Sequence, residues 1–293
     1  MKRKEYGRWL QEQLGCKVQK LSVDAGFTCP NRDGSKGTGG CIFCNNRTFT
    51  PRYCNRQLSV TRQLADGKRF YAEKYPQMKY LAYFQSYSNT YAELSHLKQL
   101  YEEALAVEDV VGLVIGTRPD CISEPLLDYL QELSRRTFVM VEYGIESASD
   151  ETLRRIRRGH DFACSRQAVM LTAERGIPVG GHVILGFPWE SREEVLRQAE
   201  LIADLPLTTL KLHQLQVLRG TELARQYEEA PWPLPTAEEY VRLALDYVRR
   251  LPQDIIVERL ASQSPPDMVI APHWGLKSHE FAALVEKVSR ADQ

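Results

Sequence analysis

Short stretches in which apolar residues alternate with polar ones, or run on unbroken, are followed along this chain by longer stretches in which they recur every three to four positions. After a short helical pattern at 4–14, residues 17–25 alternate as a strand that feeds a glycine-rich loop, and 60–75 read as a helix weakened by Gly67. Strand and helix patterns then take turns: 79–85 and 91–106, 110–117 and 124–135, then 138–143 with two helices, 150–157 and 162–176. The series continues with 179–185 and 192–205, and with 209–217 and 221–227. Six such units predict an α/β fold, a partial parallel (β/α)6 TIM-like barrel.

The pattern breaks at Ala230-Pro-Trp-Pro-Leu-Pro-Thr236, whose prolines exclude a continuous helix. Beyond it come a helix at 237–251 with Thr236 as its cap, a seventh apolar strand at 254–260, and a loop holding Pro265-Pro266 and Pro272-His273-Trp274. A final helix follows at 277–290. A tail of about 60 residues buries only a marginal core by itself. It is therefore expected as a short C-terminal α/β extension packed on the barrel, dividing the chain into 1–229 and 230–293.

Composition narrows the picture. No apolar run approaches the roughly 18 residues of a membrane span, so no membrane partner is expected. Lys and Arg together number 38, as do Asp and Glu; a general attraction to polyanions is therefore excluded, and any nucleic-acid contact has to come from a local patch. The N-terminal residues lack the apolar core of a signal peptide. With seven cysteines, this predicts reduced thiols in a cytoplasmic protein.

Three of those cysteines lie in the glycine-rich loop at 27–44. Cys29 precedes Cys41 by eleven intervening residues, and Cys41 precedes Cys44 by two. Three soft ligands that can converge favour zinc or an iron-sulfur cluster. Gly34, Gly37, Gly39 and Gly40 allow the backbone to turn its amides inward. With Cys54 as a fourth ligand the set would make a structural zinc site; with three, a cluster would keep one iron open.

The C-terminal ends of the strands, where parallel barrels carry their chemistry, are polar. The first bears the cysteines and the second Gln85, Ser86, Ser88, Asn89 and Thr90. Thr117-Arg118-Pro119-Asp120 ends the third, Gly144-Ile145-Glu146-Ser147 the fourth, Gly186 to Ser191 the fifth, and His213 and Gln214 the sixth. Each has an ordinary explanation. Ser191 with Glu194 makes a helix capping box, Thr-Arg-Pro-Asp a turn, and His213 a core histidine. Six polar ends beside one thiolate cluster point instead to a shared site.

Taken together, the chain resembles the radical S-adenosylmethionine (SAM) superfamily, in its YtqA/YhcC-like branch related to the Elongator catalytic subunit. The resemblance rests on Cys-Pro-Asn-Arg-Asp-Gly with Gly-Gly-Cys-Ile-Phe-Cys, Thr117 to Asp120, Val141 to Ser147, Arg158-Gly-His160, His182 to Pro188 and Lys211 to Thr221. It implies a [4Fe-4S] cluster on Cys29, Cys41 and Cys44, with SAM on the fourth iron. It further implies that Phe43 packs on the adenine side, that Glu146 and Ser147 meet the ribose, and that the backbone through Gly186, Phe187 and Pro188 lines the adenine. Where many members carry Gly-Gly-Glu on the second strand, this chain has Gln85-Ser-Tyr-Ser; Gln85 and Asn89 are the polar groups expected near the methionine moiety.

The resemblance also implies reductive cleavage of SAM to a 5'-deoxyadenosyl radical and a substrate in tRNA, the wobble carboxymethylaminomethyluridine, converted to aminomethyluridine. An electron donor of flavodoxin or ferredoxin type would be required. Arg118, Lys211 and His213 are the candidates for action at the substrate, with Arg158 and Arg259 as further cations for its carboxylate. The run Arg154 to His160 and Lys2-Arg3-Lys4 are candidate phosphate contacts, and Trp232 and Trp274 candidate stacking platforms. The alternatives are radical chemistry on a small molecule and a zinc-stapled RNA-binding protein without catalysis.

Overall fold

The computed structural model describes residues 3–72 and 78–291. Helix α1 (Tyr6–Leu14) buries Trp9 and Leu10 and stops at Gly15, whose φ of 68° suits a glycine C-cap. Strand β1 (Val18–Val23) leads into a long connection that carries the cysteines and one 3-10 turn, Asn46–Thr48. Helix α2 (Val60–Ala72) follows; the expected helix end at 73–75 lies outside the described residues. Then come β2 (Lys79–Phe84), α3 (Leu94–Leu105), β3 (Val110–Thr117), α4 (Glu124–Ser134) and β4 (Phe138–Glu146). Two helices, α5 (Asp150–Arg155) and α6 (Phe162–Glu174), precede β5 (Val179–Leu185) and α7 (Arg192–Ala203). The last regular elements are β6 (Thr209–Gln214), β7 (Val217–Leu218), α8 (Glu222–Glu229), α9 (Ala237–Arg249), β8 (Ile256–Arg259), β9 (Val269–Ala271) and α10 (Ser278–Ala291).

Seven strands form one parallel sheet in the order β1-β2-β3-β4-β5-β6-β8. The ends of that order approach each other: Lys20 Nζ on β1 lies 3.1 Å from a Glu258 carboxylate oxygen on β8, so the sheet curls into a partial barrel. Helices cover its outside through Leu64, Leu97, Leu126, Leu130, Val169 and Ala199. Buried on both faces, the strands read as almost continuous apolar runs.

Three expectations change in detail. The fourth strand runs three residues beyond Tyr143 because a register irregularity at Gly144 to Glu146 carries the ladder on. The expected strand at 209–217 divides: β6 stops at Gln214, and Val217 and Leu218 pair antiparallel with β9 instead. The tail, finally, does more than pack on the barrel. Its β8 pairs parallel with β6, covering an edge that would otherwise present unpaired backbone.

Local signals act as read from the sequence at two helix starts. Ser191 with Glu194 and Thr236 with Glu239 both form reciprocal capping boxes. Arg3 does not face solvent as a phosphate contact would. Its guanidinium donates to the carbonyls of Val248 (2.7 Å), Leu251 (2.7 Å), Pro252 (2.5 Å) and Ile255 (3.0 Å), closing the C-terminus of α9. Lys4 pairs with Glu12, and Lys2 lies outside the described residues.

Candidate active site

The cysteine loop folds tightly on itself. Arg32 N donates to Cys29 O (2.8 Å), Lys36 N to Pro30 O (2.8 Å) and Gly40 N to Asn31 O (2.7 Å). Gly40 has φ 78°, and a Cβ there would stand 2.8 Å from the Arg32 guanidinium, which donates to Cys44 O at 3.0 Å. Glycine is thus required at this close approach. Each thiol receives an N–H group: Cys29 from the Asn31 backbone (3.4 Å), Cys41 from Asn31 Nδ2 (3.3 Å) and Arg158 (3.6 Å), Cys44 from Asn46 Nδ2 (3.7 Å). Burial and the neighbouring Cys41 push the Cys44 thiol up to about 11, with Arg32 pulling the other way.

These three cysteines line one cavity of about 240 Å³. Among the described residues, no three His, Cys, Asp or Glu side chains gather tightly enough for a single ion. Cys54 donates to Ser22 O at 2.9 Å and does not line the cavity that the other three share. The donor set suits a group that is wider than one ion and bound by three thiolates.

Of the other candidates, Phe43, Gln85, Arg118, Glu146 and His213 line the cavity, as do Arg158 and Arg259. Arg118 is already engaged: Nε and Nη2 clasp Asp120 at 2.8 and 2.9 Å, and Nη2 also donates to Arg158 O at 2.7 Å. Burial opposes ionisation of Asp120, but Arg118 still holds its carboxyl well below the usual range. Arg118 Nη1 remains buried without a partner. Glu146 sits at φ 68°, with Arg158 at 3.6 Å; burial raises its carboxyl despite that cation. Gly144 makes room, since a Cβ there would lie 2.5 Å from Glu146 Oε1.

Asn89, Ser147, Gly186, Phe187, Pro188 and Lys211 do not line the cavity. Asn89 donates to Gly116 O (2.7 Å), tying the end of β2 to β3. Ser147 donates to Gln198 Oε1 on α7 at 2.6 Å, so its hydroxyl is turned away from the barrel mouth. Phe187 is buried and stacks on Trp189 with centroids 5.2 Å apart. Pro188 is exposed. In place of that segment, Ile184 and Leu215 supply the apolar wall.

Lys211 belongs to a charged floor beneath the cavity that the sequence reading did not assemble. Glu142, fully buried on β4, accepts from Lys20 (2.8 Å), Lys211 (2.5 Å) and Tyr83 (2.7 Å), and His182 Nε2 lies 3.0 Å away. Lys20 and Lys211 also face Glu258 at 3.1 and 3.5 Å. The signal was a lone glutamate in an apolar strand, flanked in register by Gly116 on β3 and Gly180 on β5; a Cβ at Gly180 would stand 2.9 Å from Glu142 Cγ. Despite the burial, the two lysines hold Glu142 well below its ordinary value, while burial pulls Lys211 down to about 8.

The basic run divides. Arg155 pairs with Glu151 on the surface, Arg157 faces Glu222 at 3.9 Å, and Arg158 turns inward to the cavity. Trp274 donates to Pro235 O at 3.0 Å and stacks on Phe281, so it packs the tail rather than offering a platform. Trp232 is half-buried, edge-on to Tyr227.

Comparison with known proteins gives the family of the chain. The family model described as Radical SAM superfamily matches residues 32–202, and the Radical_SAM C-terminal domain matches 207–290. The chain is 37% identical over 278 residues to the protein YtqA of Bacillus subtilis (strain 168), spanning 95% of this chain and 86% of that one. A tRNA uridine(34) acetyltransferase of Methanocaldococcus infernus is 26% identical over 185 residues, 60% of this chain and 33% of its own length. The solved structure of Elp3 from Methanocaldococcus infernus shares the fold, with a TM-score of 0.69 at 17% identity over 94% of this chain and 63% of that one. With a family model over more than half its length and a near full-length relative, the chain belongs to the radical SAM superfamily.

Proposed function

We propose that this protein is a radical SAM enzyme acting on the wobble uridine of tRNA, converting carboxymethylaminomethyluridine to aminomethyluridine. The observation that carries the reading is the convergence of Cys29, Cys41 and Cys44, each with its own N–H donor, on a cavity at the strand C-termini that also holds arginines. Cys29, Cys41 and Cys44 would hold a [4Fe-4S] cluster. When bound, the cluster would supply one electron to SAM, giving methionine and a 5'-deoxyadenosyl radical that would take a hydrogen from the substrate methylene; with SAM as the net oxidant, loss of one further electron would leave an imine that water splits into the amine and glyoxylate.

The chain's own residues do the rest. Asn31, Arg158 and Asn46 direct N–H groups at the sulfurs and disperse thiolate charge. Phe43 and Ile184 offer apolar surface for the adenine, and Glu146, turned into the cavity by its positive φ, offers an acceptor for ribose hydroxyls. Under the cavity, Glu142 and Lys211 of the charged floor are almost fully buried, which limits solvent from that side. The tRNA assignment draws on the uridine-34 relative, which matches a third of its own length here. A cytoplasmic location, a flavodoxin- or ferredoxin-type reductant, and residues 230–293 acting as an extension of the barrel belong to the same proposal.

The test has two parts. Reconstituted protein with dithionite should release 5'-deoxyadenosine and methionine from SAM. Nucleoside analysis of tRNA from cells lacking the protein should show carboxymethylaminomethyluridine accumulating at the expense of aminomethyluridine. Unchanged nucleosides would move the reading to radical chemistry on a small molecule, and S-adenosylhomocysteine as the sole product would end it.

A further inference from the structure

Charges inside the barrel balance almost everywhere. On the floor, the cations Lys20 and Lys211 face the anions Glu142 and Glu258. On the rim, Arg118 holds Asp120, and Arg158 lies 3.6 Å from Glu146. Arg32 rests against the cysteine loop, donating to Cys44 O.

Arg259 is the exception. It ends β8, lines the cavity and has no carboxylate within ion-pair distance among the described residues. Its Nη2 donates instead to His213 Nε2 at 3.2 Å, and its Nε is buried with no partner. A guanidinium cannot release its proton, so His213 accepts and must be neutral. The imidazole ring is supported in turn by His182, with ring centroids 5.5 Å apart. A half-buried guanidinium that spends a hydrogen bond on a neutral ring while its buried Nε–H has no partner keeps donor capacity for an anion.

The wall around it is pre-set. Gln214 exchanges two hydrogen bonds with Ser262, Nε2 to O at 2.8 Å and N to Oε1 at 2.9 Å, and Ser264 Oγ donates to Gln216 Oε1 at 2.7 Å. Those contacts fix residues 262–264 beside Arg259 on the cavity wall.

We propose that Arg259 receives the carboxylate of the substrate side chain, with His213 as the positioning residue that fixes the guanidinium plane. This deepens the proposed function and rests on it. Two carboxylates reach this cavity under that reading, that of the substrate and that of SAM, and the assignment is to the substrate. Loss of the carboxymethyl group would then be sensed where the tail meets the barrel, so that product, lacking the carboxylate, is released.

The test uses the full chain carrying its cluster and two anticodon stem-loop RNAs, one with carboxymethylaminomethyluridine and one with aminomethyluridine at the wobble position. Wild-type protein should bind the first about tenfold or more tighter. Arg259→Gln should bring the two within about twofold, Arg259→Lys should recover part of the preference, and His213→Gln should weaken it while retaining some. Cluster absorbance and SAM affinity should persist in all three. A preference that survives Arg259→Gln overturns the inference and leaves the proposed function standing. A wild-type protein with no preference also overturns the inference, and the nucleoside analysis then decides the proposed function by itself. Loss of SAM affinity in Arg259→Gln reassigns the site to the SAM carboxylate. Should Arg259→Gln fail to fold, a stem-loop whose carboxylate is capped as an amide must lose the same tenfold on wild-type protein, and equal binding of acid and amide refutes the assignment.

Discussion

The floor and the rim of this barrel both bury charge, and they do so in opposite ways. On the floor, the carboxylate of Glu142 meets Lys20, Lys211, Tyr83 and His182 at once, and Glu258 balances the second lysine. On the rim, Arg118 Nη1, Arg158 Nε, His160 Nε2 and Arg259 Nε are buried without partners, and Glu146 and Arg157 carry positive φ angles. A satisfied network holds strands together; an unsatisfied one reserves its hydrogen bonds for something else. The difference separates a closed network of charges from a rim with hydrogen-bonding capacity left over.

The sharpest way to break this comparison is at the sulfurs. Cys41→Ser should abolish the visible absorbance of a reconstituted cluster and all SAM cleavage, while the urea midpoint of the metal-free protein stays nearly unchanged. Cys54→Ser should keep its absorbance. Equal loss in both variants would mean that the rim is not the metal site as drawn.

Next in size is the floor itself. Glu142→Ala leaves Lys20 and Lys211 unpaired in the interior and should cost about 3 to 5 kcal/mol in urea unfolding. Glu146→Ala on the rim removes a carboxylate already pushed up by burial and should cost clearly less. Equal costs at the two positions would dissolve the distinction.

The smallest effect is a pH slope. Burial, with the charge of Lys211 next, lowers His182 to about 4; burial and Arg158 do the same to His160. His182 faces Glu142 on β4, Lys211 and His213 on β6, and Arg259 on β8. Between pH 4 and the ordinary value of about 6.5, the unfolded chain binds more protons than the folded one. Stability is thus fully present above about 6.5 and falls as pH drops toward 4, by up to about 1 kcal/mol per pH unit for each histidine. Urea midpoints measured at pH 7, 6 and 5 should decline, and His182→Gln should flatten the decline. An unaltered slope in that variant would show that His182 is not held neutral.

Much of the rim could be read from the chain, because its chemistry is written in residue types rare elsewhere. Three cysteines in a glycine-rich loop have few other uses, and Thr117-Arg-Pro-Asp120 marks the end of β3. The direction of a side chain at a strand end is not encoded in the same way. Ser147 and Asn89 were as polar as Gln85, yet Gln198 on α7 and the Gly116 carbonyl claim them. The floor was hidden for a related reason. In a parallel sheet covered by helices both strand faces are apolar, so alternation cannot say which of them looks inward. Glu142, Lys20, Lys211 and His182 become a group only once the curl of seven strands brings them together. The split between β6 and β7 left a trace in the chain: His213 and Gln214 are consecutive polar residues, and the apolar positions shift from 210 and 212 to 215 and 217 where β6 stops.

The place of β8 in the sheet also sets an order of events during synthesis. The cysteine loop and the first six strands of the sheet are made well before Arg259, because 44 residues lie between Gln214, the last of β6, and Arg259. At roughly 5 to 20 residues per second, that interval lasts on the order of seconds. Throughout it the β8 partner of β6 and the Glu258 neighbour of Lys211 are not yet made. The strand that closes the sheet is thus the last of its seven to be made, and the edge of β6 stays open until the tail arrives.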